Sequence, residues 1–203
     1  HISSTITTST ADFVKGSSSL YVTSTSATGN VGTIDLSNRS FTITVWMKLN
    51  SLDRYFFSQG TGVLTNKSLI IGIRATSGLY TLVFYNNDLN STGSYTSDLN
   101  KWIHLAFIVE KNSSGLSDRY IYRNGILIGS DFNRANFTGS GTLKINGYTT
   151  TRGFTGYMDD FRVYNRALSQ TEVQHVMGYT TPLFQNSQLL IKENTDPIDL
   201  STF

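Results

Sequence analysis

The sequence predicts an all-β fold: two antiparallel sheets packed as a β-sandwich, with one short helix near the C-terminus. Three observations lead there. Phe41, Ile43, Val45 and Met47 alternate with Thr42, Thr44, Trp46 and Lys48, the period of a strand with two distinct faces. Asn124-Gly125 separates two β-prone runs, and that pair is a strong hairpin signal because both turn positions need positive φ. About a dozen short β-prone runs with glycine-containing turns, against one convincing helix, suit two packed sheets.

The elements follow in order. Residues 1–10 are polar and β-branched, either a linker or a first edge strand. Residues 19–22 (SLYV) read as a short strand and residues 24–32 as a loop of small polar residues. After the alternating strand come a short apolar run at 55–58 and two strands at 68–74 (SLIIGIR) and 79–85 (LYTLVFY). The latter two are joined by a hairpin-length loop. Residues 86–98 read as a polar loop. Residues 101–111 (KWIHLAFIVEK) are apolar almost throughout, as in a strand covered on both faces. The hairpin around Asn124-Gly125, a brief strand at 143–145 and a loop at 147–151 lead to the last strand and helix, 153–173. Ser169 and Glu172 have capping-box spacing, Val173, Val176 and Met177 share one face, and Gly178 ends the helix. Residues 1–178 form the expected domain. Residues 179–203 hold the only two prolines, Pro182 and Pro197, and read as an arm or linker with a candidate edge strand at 189–191.

Composition narrows the function classes. The 203 residues are 15% charged with a net charge of +2, and the basic residues are scattered, which argues against nucleic acid. No cysteine is present, so disulfides and thiolate chemistry are excluded. No apolar run approaches the ~18 residues of a membrane span. The abrupt opening at His1 reads as a piece of a longer polypeptide. Asn38, Asn66, Asn90, Asn112 and Asn136 begin Asn-x-Ser/Thr sequons, which an Asn-, Ser- and Thr-rich chain also makes by chance.

Four motifs in order carry a resemblance: residues 40–46 (SFTITVW), 101–106 (KWIHLA), 120–129 (YIYRNGILIG) and 156–169 (GYMDDFRVYNRALS). Together they resemble the concanavalin A-like lectin/glucanase superfamily, in its laminin-G-like and pentraxin-like jelly-roll form, from Phe13 to Gly178. The resemblance implies a jelly-roll β-sandwich and a lectin-like or adhesion module. It also makes Asp159 a candidate calcium ligand, and it places Trp46 and Trp102 at core positions.

Asp159 and Asp160 are adjacent in an apolar strand, which points to a metal, a salt bridge or a bulge. Calcium takes six to eight oxygens, and near the N-terminus only Asp12 is acidic, so Asp159, Asp160 and Asp12 form the candidate metal set. The competing expectation is that Asp159 accepts hydrogen bonds from a neighbouring loop while Asp160 pairs with an arginine. Glycosidase chemistry needs two carboxyls facing one cleft. The only glutamates, Glu110, Glu172 and Glu193, share no strand pattern with an aspartate, and consecutive aspartates on a regular strand diverge. The chain is therefore expected not to be an enzyme. His1, His104 and His175 show no triad or ligand spacing. Aromatic rings and nearby amides suit sugars, which makes Tyr80, Tyr85, Tyr95, Asn146, Tyr148 and Arg152 the candidate ligand contacts.

The expected function is a non-catalytic carbohydrate-binding or adhesion module, with calcium as candidate cofactor and glycans or glycoprotein surfaces as partners. Its expected location is extracellular or on a cell or virion surface. The alternative is a structural or decoration domain of a capsid, fibre or adhesin, with neighbouring subunits as partners.

Overall fold

The computed structural model describes residues 5–52, 54–60, 64–74, 77–146, 148 and 151–178; the expected C-terminal arm lies outside them. Among the described residues, thirteen strands form two sheets, all of their ladders antiparallel. The larger sheet runs β1 (Ile6–Ser9), β2 (Ser19–Val22), β13 (Gly156–Tyr164), β4 (Phe41–Leu49), β9 (Trp102–Lys111), β10 (Ser117–Arg123), β11 (Ile126–Arg134). The smaller runs β3 (Thr28–Thr33), β12 (Thr142–Asn146), β5 (Arg54–Gly60), β6 (Ser68–Ile73), β7 (Tyr80–Val83), β8 (Asp88–Asn90).

One apolar core joins the sheets. Phe41, Ile43, Val45 and Met47 of β4 enter it, as their alternation predicts, and Phe57 of β5 meets Phe161 of β13 with ring centroids 4.7 Å apart. The helix α1 (Gln170–Met177) lies on the outer face of the larger sheet, where Val173 and Val176 close a second apolar cluster with Ala106, Ile108, Tyr122 and Tyr164. This cover explains why β9 is apolar on both faces. Burying a valine such as Val173 stabilises by roughly 1.5–3 kcal/mol. The Ser169–Glu172 capping box is formed, and Arg166 braces Glu172 at 2.6 Å. The hairpin turn has Asn124 at φ 48° and Gly125 at φ 74°, between the pairs Arg123↔Ile126 and Tyr122↔Leu127.

Of the two readings of residues 1–10, the structure bears out the edge strand, β1. Two other readings change. The expected loop at 24–32 contains most of β3, and the expected loop at 86–98 begins with β8. Both are edge strands of the smaller sheet, so each needs only one neighbour. A Gly-containing strand (TGNVGT) and a three-residue strand show no alternation to read.

Arg119 is fully buried, its guanidinium bonded to Asp131 at 2.9 Å and to the Asn87 carbonyl at 2.9 Å, over the ring of Phe84. It ties β10 and β11 to the loop that follows β7.

Candidate functional site

The aspartate pair sits where β13 breaks register with β4, between Asp159 and Arg162, and Asp160 is held at φ 46°. A regular strand would send the two side chains to opposite faces. The break instead brings both carboxylates to residues 14–15. Asp159 Oδ2 accepts from Val14 N at 2.7 Å and Lys15 N at 2.8 Å, and its Oδ1 accepts from Asp160 N at 2.7 Å. Asp160 pairs with Lys15 Nζ at 2.8 Å and Arg162 Nε at 2.6 Å. Lys15 Nζ also donates to the Val176 carbonyl at 2.6 Å, tying the end of α1 into the same knot. Asp12 lies apart, accepting from Lys48 Nζ at 2.6 Å and Trp102 Nε1 at 2.7 Å. Burial pushes the Asp12 carboxyl up, but the hydrogen bonds from Lys48 and Trp102 outweigh it and hold the group below its ordinary value.

These three residues do not fit a calcium ion. Both oxygens of each carboxylate already face protein donors, whereas the ion needs six to eight free oxygens. Among the described residues, no three His, Asp or Glu side chains converge for a metal. The arrangement they do make is a clamp between the residues after β1, the strand β13 and the helix.

The aromatic candidates divide into two groups. Tyr80 is fully buried and donates to Asp98 at 2.8 Å, and Asp98 in turn holds Arg123 at 2.7 Å. Burial first, then the Asp98 charge, push the Tyr80 hydroxyl far up. Tyr95 packs on Tyr80 at 5.5 Å and under Arg123 at 5.2 Å. Asn146, also fully buried, caps the Phe154 backbone through both ends of its amide, accepting at 2.9 Å and donating at 3.3 Å. The expectation that Tyr80 and Asn146 touch ligand is corrected, because neither reaches the surface. Tyr95 serves the Asp98–Arg123 network.

Tyr148 and Arg152 come together around a residue that sequence reasoning missed, Tyr55, and Tyr85 acts on Tyr148 electrostatically. The bulge between Tyr55 and Phe57 sends Phe56 and Phe57 into the core and leaves Tyr55 on the outer face of the smaller sheet. Its ring lies over Gly72, where an added Cβ would come within 3.0 Å of it. Tyr148 meets Tyr55 edge to face at 5.5 Å, and Arg152 Nη1 lies 3.4 Å from the Tyr55 hydroxyl. Burial raises the Tyr148 phenol, and the neighbouring Tyr85 and Tyr55 raise it further. Ile70 and Val83, opposite each other on β6 and β7 and outside the main core cluster, lie buried beneath this side of the sheet with Thr81 beside them. Lys144 stands across from Ser58 on the same side. The face thus offers half-buried phenols, an arginine and a lysine. That is a surface for noncovalent recognition.

The fold and this face define a two-sheet sandwich with an aromatic outer surface on its smaller sheet. A laminin-G model of the concanavalin A-like lectin/glucanases superfamily matches residues 16–174, and the chain belongs to that superfamily. No curated protein matches it in sequence. Among the solved structures that share its architecture are the following three. Domain 4 of AbnA, an extracellular arabinanase from Geobacillus stearothermophilus in complex with arabinotriose, is 19% identical with a TM-score of 0.56, over 86% of this chain and 82% of that one. The CBM40 of a Ruminococcus gnavus IT-sialidase, bound to α2,6-sialyllactose, is 17% identical with a TM-score of 0.54, over 79% and 96%. A Bacteroides ovatus chain, assigned as a carbohydrate-binding protein, is 19% identical with a TM-score of 0.55 over 72% of this chain. This chain spans only 43% of that longer one. At these identities the likeness is one of fold.

Proposed function

We propose that this chain is a non-catalytic carbohydrate-binding module of an extracellular or surface-exposed protein, and that its glycan lies on the outer face of the smaller sheet. The carrying observation is the meeting of Tyr55 with Tyr148 and Arg152, brought together from two separate segments. Rings present apolar area while their hydroxyls stay wet, which matches a sugar's C–H face and its hydroxyl rim. The solved relatives that hold arabinotriose and sialyllactose support a glycan as the ligand class. Asp12, Asp88, Asp98, Asp131, Asp160 and Glu172 are each paired with a cation, which gives these carboxylates structural roles. Calcium is not part of the proposal, given the clamp described above.

A glycan array followed by calorimetry on the hits tests this reading. Tyr148→Ala and Tyr55→Ala are each expected to weaken a hit about tenfold, the upper end for loss of an aromatic contact. No binding to any array glycan at high protein concentration would defeat it.

A second reading, a structural module of a larger surface assembly, is favoured by one observation. Ile126, Leu127 and Phe132 of the edge strand β11 are 63%, 43% and 57% exposed, a pattern edge strands usually avoid. Concentration-dependent assembly abolished by Leu127→Lys would support it, and a monomer at all concentrations would remove it.

A further inference from the structure

Among the described residues, the outer face of the larger sheet is covered in two places and left uncovered in a third. The helix α1 covers the part around Ala106 and Tyr122. Residues 12–15 fold against the row Asp159↔Trp46↔His104, where His104 is 1% exposed. The next outward-facing row is Tyr21↔Tyr157↔Lys48↔Trp102, one residue from each of β2, β13, β4 and β9. All four are half-buried. Tyr21 and Tyr157 stack at 4.5 Å with planes 18° apart, and Trp102 stands 6.2 Å from Tyr157, tilted by 50°. Lys48 Nζ lies over Tyr157 at 5.7 Å, and Asp12 fixes both Lys48 and Trp102. Phe13, next in the chain, is 42% exposed. Trp102 is thus not the core residue that the resemblance implied.

We infer that this row is a second glycan-binding site, for a linear neutral oligosaccharide lying across the strands. Two features select that occupant. The row advances by one strand spacing, ~4.8 Å, per residue, close to the length of one pyranose ring, over ~14 Å in all. The Lys48–Asp12 pair neutralises the patch, so nothing in it attracts a polyanion or an anionic membrane, while two phenol hydroxyls and half-exposed aromatic carbon remain for a polyhydroxylated chain. The site is independent of the tyrosine face of the smaller sheet. With both occupied, one module would cross-link two glycan chains.

Tryptophan emission isolates this site. The chain has two tryptophans, and Trp46→Phe leaves Trp102, within the row, as the only reporter. This variant is titrated with linear hexasaccharides of β-1,4-glucan, β-1,4-xylan and α-1,5-arabinan, with calorimetry in parallel. At least one sugar is expected to give a saturable change in Trp102 emission. Tyr157→Ala and, separately, Tyr21→Ala should weaken that response about tenfold, and Tyr148→Ala should leave it unchanged. Circular dichroism and melting confirm that each variant folds. Heat of binding without any Trp102 response overturns the second site while the proposed function stands. No response and no heat with all three sugars also overturns it. So does a response abolished by Tyr148→Ala, or self-association that Tyr157→Ala removes, since a second copy would then cover the row.

Discussion

Replacing Asp159 with alanine should cost this fold about 3 kcal/mol. Asp159 is 4% exposed, and its carboxylate accepts from the backbone N–H groups of Val14 and Lys15 at 2.7 and 2.8 Å. Hydrogen bonds to a charged acceptor contribute ~1.5–3 kcal/mol each, and water reaching the partly buried segment offsets some of the loss, so the lower figure applies to each. For a domain of this size, a kilocalorie shifts the melting temperature by roughly 2–4 °C, which gives a drop of ~6–12 °C. Asp159→Asn keeps one acceptor oxygen and should lose about half as much. Differential scanning calorimetry at neutral pH measures both, each with calcium and with a chelator. A calcium ion at a hundred times its Kd would add ~2.7 kcal/mol, or ~5–11 °C. The clamp predicts no difference between the two buffers. A drop under ~2 °C for Asp159→Ala, or a wild-type melting temperature that rises with calcium and stops rising in Asp159→Asn, would refute the reasoning.

Two further outcomes follow from buried charge. Burial, then the Lys15 and Arg162 charges, lower the His104 imidazole from 6.5 to about 3. A folded value below the unfolded one means the unfolded chain binds more protons in between. This contribution is therefore complete above pH 6.5 and is lost as the pH falls toward 3. His104→Leu should flatten the melting temperature between pH 6.5 and 4, and an unchanged slope would contradict the assignment. Arg119→Met should cost ~3 kcal/mol in urea unfolding, because it leaves Asp131 and the Asn87 carbonyl without their buried donor; a loss below ~1 kcal/mol would count against the network.

The sandwich was legible because its signals are local. The alternation in β4, the Asn124-Gly125 turn and the Ser169–Glu172 cap each act within a few residues. The aspartates were half legible: the pairing with a loop and an arginine was one of two readings, and only the register break shows why both side chains face the same loop. The candidate glycan face was the least legible. Tyr148 and Arg152 could be named as chemistry, but their meeting point depends on Tyr55, whose orientation is set by a bulge against a glycine seventeen positions later (72 − 55). In sequence Tyr55 reads as one more apolar residue beside Phe56 and Phe57. Tyr80 and Tyr95 looked equivalent to Tyr85 for the same reason.

The place of β13 sets a rule for synthesis. It is the last strand among the described residues, yet it sits inside the larger sheet, between β2 and β4, and its Asp159 clasps a backbone segment made 145 residues earlier. A ribosome emitting this chain releases β2 and β4 long before their shared neighbour exists. Until then both carry open hydrogen-bonding edges beside apolar faces, the state most prone to wrong pairing. Truncation anywhere before Tyr164 should therefore yield an insoluble product rather than a smaller folded one.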